Sequence, residues 1–123
     1  MKKIIVAGVP FTLILALNTG CMGLGKVDSY GAAAYAPSTQ DWRLRWRVAD
    51  PHRARQRILE DCAAADCRVV LEFGPDQCGT LALGQGGLGV GRGDTPAAAE
   101  AAALAECQRA GSDCRVAAAE CNR

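Results

Sequence analysis

One cysteine-bounded stretch occurs twice along the chain, and this duplication constrains the fold more than any other feature. Residues 51–67 and residues 96–114 each begin with a proline, reach a cysteine eleven positions later and meet a second cysteine after a short loop. Each copy then closes with one further cysteine, Cys78 and Cys121. Eleven residues make about three helical turns. The equal interval therefore predicts two equivalent helices, each of which ends at a cysteine.

Each copy is predicted to be a β-β-α-β unit. Residues 42–48 alternate apolar side chains with arginine, which is the period-two pattern of a half-buried strand. A small apolar segment, 31–36, precedes this strand, and residues 67–73 follow the helix as a third strand. The corresponding strands of the second copy are 79–83, 88–92 and 114–121. We expect the two units to merge their strands into one antiparallel-rich sheet with both helices against it, which is an α+β fold stapled by disulfides.

The helix starts are marked by Asp50-Pro51 and Thr95-Pro96. In each pair the first residue caps the helix, and proline takes the first helical position, where its missing N–H is not needed. Helical spacing predicts one buried stripe on each helix. The predicted stripes are Ala54, Ile58 and Cys62 in the first helix and Ala98, Ala102 and Ala105 in the second.

The core is expected to consist of small side chains. Hydrophobic residues make up 50% of the chain, but aromatic residues make up only 5%. A domain of about 100 residues hides about two-thirds of its unfolded surface, so a core of small residues leaves it marginally stable. Seven cysteines in 123 residues are typical of a disulfide framework in an exported protein. The net charge of +1 gives no electrostatic reason to expect a nucleic-acid partner.

The N-terminus has the pattern of an export signal. Two lysines are followed by a largely apolar run over residues 4–17, which is shorter than the roughly 20 residues of a membrane-spanning helix. Residues 17–21 resemble a bacterial lipobox, in which cleavage before Cys21 is followed by acylation of its sulfur. Met22 after that cysteine resembles the outer-membrane sorting pattern. Ordinary signal cleavage after Ala34 is the alternative.

These features predict three segments. They are a signal peptide over 1–20, a lipidated tether over 21–29 and the duplicated cysteine-rich domain over 30–123. The predicted location is the periplasmic face of the outer membrane, reached through the lipid anchor, and a soluble periplasmic or secreted protein is the alternative. If Cys21 carries the lipid, six cysteines remain, which is an even number for pairing.

Six cysteines permit fifteen pairings, and the repeat favours one of them. The scheme that respects the repeat pairs Cys62 with Cys67, Cys107 with Cys114 and Cys78 with Cys121. The last pair closes the longest loop and is expected to tie the two units together. The rival scheme crosses units, for example Cys62 with Cys107. Zinc is disfavoured because the intervals of four and six residues differ from Cys-x2-Cys knuckles, and no redox Cys-x-x-Cys motif occurs in the sequence.

No catalytic residue, metal site or cofactor is predicted. His52, the sole histidine, is interpreted as a solvated residue beside Asp50 rather than a general base. Residues 84–89 match the G-x-G-x-x-G dinucleotide fingerprint, which works by opening a helix whose N-terminus holds the pyrophosphate. Here the glycines continue to Gly93 and the helix begins only at Pro96. A hairpin turn with close backbone packing is therefore the better interpretation.

A basic patch is predicted around the second strand and the first helix. The apolar residues Trp42, Leu44, Trp46 and Val48 are expected to share one strand face, which leaves the intervening arginines on the other. The candidate partner-binding residues are Arg43, Arg45, Arg47, Arg53 and Arg57. This surface is interpreted either as a solvated face neutralised by nearby carboxylates or as a docking site for an acidic protein or an anionic envelope polymer.

The chain resembles a known family over nearly the whole of its predicted mature part. The matching features are the segments 33–39, 67–70 and 78–82, the alanine-rich helix and the last three cysteines. In these it is similar to the exported bacterial domain-of-unknown-function family numbered forty-one eighty-nine. The resemblance implies a small exported protein and supplies no catalytic residue. The family tends to carry an aromatic residue within 88–93, where this chain has Val90 and Arg92.

Together these patterns predict a non-enzymatic envelope lipoprotein that acts as a protein-binding module. An immunity or inhibitor protein directed against an exported toxin is one concrete form of that role. The alternative is a structural or stress-related envelope component that binds cell-wall polymer. A hydrolase, the third interpretation, would need His52 in its site.

Overall fold

The fold was analysed in a computed structural model that describes residues 27–123. The elements in chain order are β1 (Tyr30–Ala36), β2 (Asp41–Val48), α1 (Pro51–Asp61), β3 (Arg68–Phe73), β4 (Cys78–Gln85), β5 (Gly87–Gly93), α2 (Pro96–Ala110), β6 (Ser112–Val116) and β7 (Glu120–Cys121). Two successive β-β-α-β units are thus confirmed. The predicted signal peptide, Cys21 and most of the tether lie outside the described residues. Over residues 27–123 no helix combines the length and the apolar character needed to cross a membrane.

The strands form two antiparallel sheets rather than the single merged sheet expected. The first sheet has the order β2-β1-β3, and the second has the order β5-β4-β6, with β7 also paired to β4. In each unit the opening strand is flanked on both sides by strands of its own unit, so its backbone groups are already paired. The two units meet face to face, through a core between the sheets. The α+β class with antiparallel pairing is confirmed.

The two sheets and two helices stack as four layers. Helix α1 packs on the outer face of the first sheet, where Ala54 and Ile58 meet Ala32, Ala34 and Val48. The inner faces of the two sheets meet around a core of Ala33, Leu71, Phe73 and Leu81. Helix α2 packs on the outer face of the second sheet around Ala82, Ala103 and Cys107. Alanine at so many core positions allows the layers to approach closely.

Both helices start as predicted, but the buried face of α2 differs from the prediction. The Asp50 carboxylate accepts from the Arg53 backbone N–H at 2.8 Å, and the Thr95 hydroxyl accepts from the Ala98 N–H at 3.1 Å. In α1, Ala54, Ile58 and Cys62 are buried, as predicted. The second helix buries Ala99, Ala103 and Cys107, whereas Ala98, Ala102 and Ala105 are exposed. The disulfide at Cys107 turns that face of α2 toward the sheet.

Two register shifts in the first sheet break the predicted alternation. Arg47 has a φ of 61°, and the β1–β2 register shifts by one residue beside it. Val48 therefore faces α1, while Trp42, Leu44 and Trp46 face the second sheet. A second shift, between β1 and β3, places Val69 against α1, whereas Leu71 and Phe73 lie in the inner core.

The glycine-rich strand β5 lies directly under α2. A Cβ atom at Gly89 would overlap the backbone of Ala103 and Cys107, and one at Gly91 would overlap the backbone of Ala99. The interpretation of these glycines as sites of close backbone packing is confirmed. The predicted last strand, 114–121, is divided into β6 and β7 by residues 117–119.

Candidate functional site

Residues 27–123 contain three disulfides, and they are the pairs that the repeat predicts. These are Cys62–Cys67, Cys107–Cys114 and Cys78–Cys121. The first two join the end of each helix to the segment that follows it. The third joins β4 to β7, which are neighbouring strands of the second sheet. The expectation that it ties the two units together is therefore wrong, because Cys78 lies in the second unit and not at the end of the first.

Asn122, which sequence reasoning missed, forms hydrogen bonds between the two units. Its side chain is buried, and its amide N–H groups donate to the carbonyls of Phe73 at 3.2 Å and Gly74 at 2.9 Å. Its side-chain oxygen accepts from the backbone N–H of Arg47, at the bulge in β2, at 2.8 Å. The C-terminal segment thereby fixes the shape of β2 in the first unit.

The arginines of the predicted patch have separate partners. Arg43 and Arg45 lie nearest the start of β2. Arg45 forms an ion pair at 2.6 Å with Asp61, which is the last residue of α1. Arg43 forms an ion pair with Asp41 at 2.6 Å, and its Nε donates to the Asp61 carbonyl at 3.1 Å. These two guanidinium groups therefore hold the end of α1 against β2 and are partly neutralised.

The other candidate arginines lie elsewhere. Arg47 extends toward the C-terminal segment, where it donates to the Arg123 carbonyl at 2.8 Å. On α1, Arg55 pairs with Glu72 at 2.8 Å. Arg53 and Arg57 are exposed on α1, and within residues 27–123 neither guanidinium has an ion pair. The five predicted residues are thus not one continuous patch.

His52 lies at the exposed start of α1. Its Nδ1 is 3.4 Å from the Arg55 guanidinium, and this contact does not resemble a catalytic pair. Among the described residues, no group of three or more His, Cys, Asp or Glu side chains is arranged to hold a metal ion.

An open groove of about 1020 Å³ lies beside β2. It is bordered by residues 39–44 and Trp46 of the first hairpin, by Ala63 and Ala64 after α1, and by Ala117, Ala118 and Glu120 of the C-terminal segment. The groove thus brings together three parts of the chain that are distant in sequence. We take it as the candidate functional site.

Both tryptophans of the chain lie in this groove. Trp42, Leu44 and Trp46 are half-buried, because they pack against the core between the sheets while the second sheet leaves them partly uncovered. Large aromatic side chains that stay partly open to solvent are frequent in binding surfaces, since they supply a large contact area with few rotatable bonds.

The walls of the groove are fixed by covalent and hydrogen bonds. On one side, Ala63 and Ala64 lie in the loop that the Cys62–Cys67 disulfide closes. On the other side, the Ala117 carbonyl accepts from the Thr80 hydroxyl at 2.7 Å, and the Ala117 N–H donates to the Leu81 carbonyl at 3.0 Å. These bonds hold the groove in shape without a ligand.

The turn between β1 and β2 is fastened to the loop that carries Ala63 and Ala64. The Ser38 hydroxyl and the Ser38 backbone N–H donate to the two carboxylate oxygens of Asp66 at 2.7 and 2.9 Å. These hydrogen bonds favour the ionised carboxylate and lower the pKa of Asp66 below its ordinary value. The contact therefore joins two segments that border the groove, and it is stronger when Asp66 is ionised.

The groove also contains the outer edge of β2. Within the described residues, β1 is the only strand that pairs with β2. Two outward backbone groups have side-chain partners: the Trp42 carbonyl accepts from the Arg43 guanidinium at 2.8 Å, and the Arg47 N–H donates to Asn122. Because outward and inward groups alternate along a strand, the backbone of Leu44 faces the same way as that of Trp42. The edge is thus open to the groove between Trp42 and Arg47.

Residues 30–121 match a family model described as Domain of unknown function (DUF4189). The chain belongs to this family. The match covers both β-β-α-β units and confirms the resemblance found in the sequence. No curated protein and no solved structure matches the chain.

The groove of this DUF4189 domain has a mixed electrostatic character. The ion pair between Asp41 and Arg43 lies at one end. Glu120 borders the other side, and its carboxylate has no ion pair among residues 27–123. Near the open edge of β2, the DUF4189 domain therefore presents one carboxylate that a cation could neutralise.

Sequence reasoning placed the two tryptophans on the correct strand but did not place them in a site. The missing information was the position of residues 117–120, which the prediction made part of a continuous strand. The sequence carried one signal, since two tryptophans on a strand that is half-covered must remain partly exposed. Glu120 and Asn122, beside the final cysteine of the DUF4189 domain, gave no such signal.

Proposed function

We propose that this domain is a non-enzymatic binding module that takes a protein partner into the groove beside β2. The observation that supports the proposal is the pair of half-buried tryptophans, which lie with Leu44 in an open groove of about 1020 Å³. Tryptophan is enriched among the residues that dominate binding energy at protein interfaces, and exposed apolar patches on small domains often mark interaction sites.

The rigidity of the walls also favours binding. A surface that is already ordered loses little conformational entropy when a partner arrives. The Cys62–Cys67 disulfide, the hydrogen bonds of Ala117 and the Asn122 contacts all fix groove segments in advance. This is the arrangement expected of a module that recognises one shape rather than adapting to many.

The proposal places the module in the cell envelope, anchored through an acylated Cys21 to the outer membrane. Three disulfides in the described part support export, because disulfides persist in oxidising compartments. An immunity or inhibitor role against an exported toxin is one concrete form of the proposal. Mass spectrometry of the mature protein tests the anchor: a diacylglycerol-modified N-terminal cysteine is expected, and cleavage after Ala34 would contradict it.

Site-specific photocrosslinking in living cells tests the binding role. A benzophenone amino acid in place of Ala118, which is exposed on the groove wall, should give a discrete protein adduct. The same amino acid in place of Ala101, exposed on α2, is the matched control and should give none. Replacing both tryptophans, Trp42→Leu with Trp46→Leu, should reduce the adduct from position 118 at least several-fold. Equal adducts from both positions would show that the groove is not the binding surface.

A cell-wall polymer is the second candidate ligand, and one observation favours it. The tryptophans lie beside the polar side chains of Thr39, Gln40 and Asp41, a combination that could contact both the apolar faces and the hydroxyl groups of sugars. Sedimentation of the protein with purified peptidoglycan, at low and high salt, separates two modes of binding. Binding through arginine should weaken with salt, whereas binding through the tryptophans should persist. Absence of sedimentation at either salt concentration would remove this candidate.

A further inference from the structure

We propose that the partner contributes an extended peptide segment, which pairs with the open edge of β2 as a fourth strand of the first sheet. The proposal rests on the proposed function, since it specifies how a protein partner would occupy the groove. The segment is further specified by charge, because it should carry a lysine or arginine that meets Glu120.

The first step of the argument is the state of the β2 edge. An edge strand presents N–H and C=O groups that a further chain can pair with, and proteins usually cover or block such edges. In this domain the edge lies in the groove and has no strand partner other than β1 within residues 27–123. The outward backbone groups of Leu44 lie in the middle of this stretch.

The second step is the length of the open edge. The Arg43 guanidinium occupies the Trp42 carbonyl at one end, and Asn122 occupies the Arg47 N–H at the other. Residues 42–46 are left between them, which span about 13 Å at roughly 3.3 Å per residue. An added segment of about five residues would fit this length. Longer pairing is blocked because the bulge at Arg47 bends the strand.

The third step is the surroundings of the edge. Ala63 and Ala64 lie on one side of β2, and Ala117 and Ala118 lie on the other. These small side chains leave room for a strand at the usual spacing of about 4.8 Å from β2. Trp42, Leu44 and Trp46 would contact every second side chain of the segment, so apolar residues are expected at alternate positions.

The fourth step is charge complementarity. The Arg43 guanidinium is paired with Asp41, so it offers little to an acidic segment. Glu120 borders the groove with no ion pair among the described residues. A basic side chain on the segment would neutralise it. Strand addition at this site therefore predicts a partner segment with alternating apolar residues and one cation, rather than the acidic partner expected from the arginines.

A displayed library of random dodecapeptides, selected on the full oxidised chain, supplies the probe. Enriched peptides without tryptophan are synthesised, and their affinity is measured from the fluorescence of the protein, because Trp42 and Trp46 are its only tryptophans. The enriched peptides should alternate apolar residues and contain a lysine or arginine. Binding should also slow the exchange of the Leu44 amide proton, which is the mark of a new backbone hydrogen bond.

N-methylation of the peptide backbone separates strand addition from other modes of binding. A methyl group on an amide that faces β2 removes a donor and blocks close approach, so affinity should fall about tenfold or more at every second residue. Methylation at the intervening residues should change affinity less than about threefold. Glu120→Gln should lower the affinity for peptides that contain a lysine or arginine. The matched variant Glu60→Gln, on the exposed face of α1, should leave that affinity unchanged.

The contrary outcomes are distinct. Uniform effects of N-methylation, unchanged affinity in Glu120→Gln, or failure to enrich any peptide would overturn strand addition. So would a dimer in sedimentation velocity that disappears in the Trp42→Leu, Trp46→Leu variant, since a second copy would then occupy the edge. A protein adduct at position 118 together with any of these results would leave the proposed binding role intact. Absence of any adduct at position 118 would contradict the proposed binding role itself.

Discussion

The two units share one plan, yet they treat their second strands in opposite ways. Gly89 pairs with Ala82 in the second unit, and Arg43 pairs with Ala34 at the corresponding place in the first. The glycine lets α2 lie directly on β5. The arginine instead reaches the end of α1 and leaves β2 uncovered. A duplicated frame thus supplies stability in one copy and an open surface in the other.

The outer edges of β2 and β5 differ in the same way, since the edge of β5 is covered and the edge of β2 is open. In the second unit, the outward N–H of Val90 donates to the Glu106 carboxylate of α2 at 2.5 Å, which covers the edge of β5. The depression beside β5 has a volume of about 460 Å³, compared with about 1020 Å³ for the groove beside β2. Helix α2 is also longer, with 15 residues against 11 in α1, and its last turn covers this region. Binding is therefore expected at the unit whose second strand has an uncovered edge.

The largest expected effect comes from a side chain on the covered strand. Gly89→Val would place a branched side chain against the backbone of Ala103 and Cys107, so the free energy of unfolding should fall by about 3 kcal/mol or more. Arg43→Val, at the corresponding position of β2, should cost about 1 kcal/mol or less, because it removes only partly exposed contacts. Urea unfolding of both variants measures the comparison. Equal losses would mean that the two strands are covered alike.

The next effect concerns the contact between the units. Asn122→Ala would leave the Phe73 and Gly74 carbonyls and the Arg47 N–H without their partner, and unfolding should become easier by about 2 to 3 kcal/mol. Trp42 and Trp46 fluorescence should change in the folded variant, since the β2 bulge loses its anchor. Matched replacement of the exposed neighbour, Arg123→Ala, should cost less. A variant as stable as the parent would show that the units are held together by the inner core alone.

A smaller effect compares the two strand edges directly. The Val90 amide proton should exchange with solvent about 10- to 100-fold more slowly than that of Leu44, because the first is bonded to a carboxylate and the second faces an open groove. Amide exchange measured by NMR gives both rates in one experiment. Glu106→Gln should bring the Val90 rate closer to that of Leu44. Similar rates in the parent chain would contradict the assignment of β2 as the open edge.

The smallest effect is a pH dependence confined to the first unit. The folded-state pKa of Asp66 is lowered, so its contribution to stability is fully present above the ordinary value near 3.8 and is lost as the pH falls through the lower, folded value. Ser38→Ala removes the hydroxyl donor to Asp66 and should therefore reduce stability at pH 6 but not at the acid end of the range. Unfolding curves from pH 6 to pH 2 test this. Parallel curves for the parent and the variant would exclude Asp66 as the source.

Much of the fold could be predicted from the repeated spacing of prolines and cysteines. Equal proline-to-cysteine intervals predicted both helices and a pairing scheme that the structure contains, because a helix fixes the distance between a cap and a cysteine on its face. The buried face of α2 could have been predicted by the same route. Ala54 and Ile58 in the first helix correspond to Ala99 and Ala103 in the second, at the same distance from each proline. Hydrophobic spacing alone failed there because alanine occurs on every side of α2.

The bulges and the groove could not be predicted from local patterns. A bulge at Arg47 reverses which face Val48 occupies, and the Arg47 N–H is held by Asn122, which lies 75 residues away in the chain. The groove depends in the same way on Ala117 and Glu120, which reach β2 only after the sheets stack. Contacts of this kind leave no period in the sequence. They are set by packing between units rather than by the preferences of either one.

The position of Asn122 in the chain has a consequence for the order of folding. All of the first unit is made before this residue, yet the final shape of β2 depends on its side chain. Under the export proposed above, β1, α1 and β3 can assemble early, but the bulge in β2 cannot be fixed until the last segment has crossed the membrane. On that proposal the groove is completed only after translocation, and a partner on the far side of the membrane would meet a binding surface that did not exist in the cytoplasm.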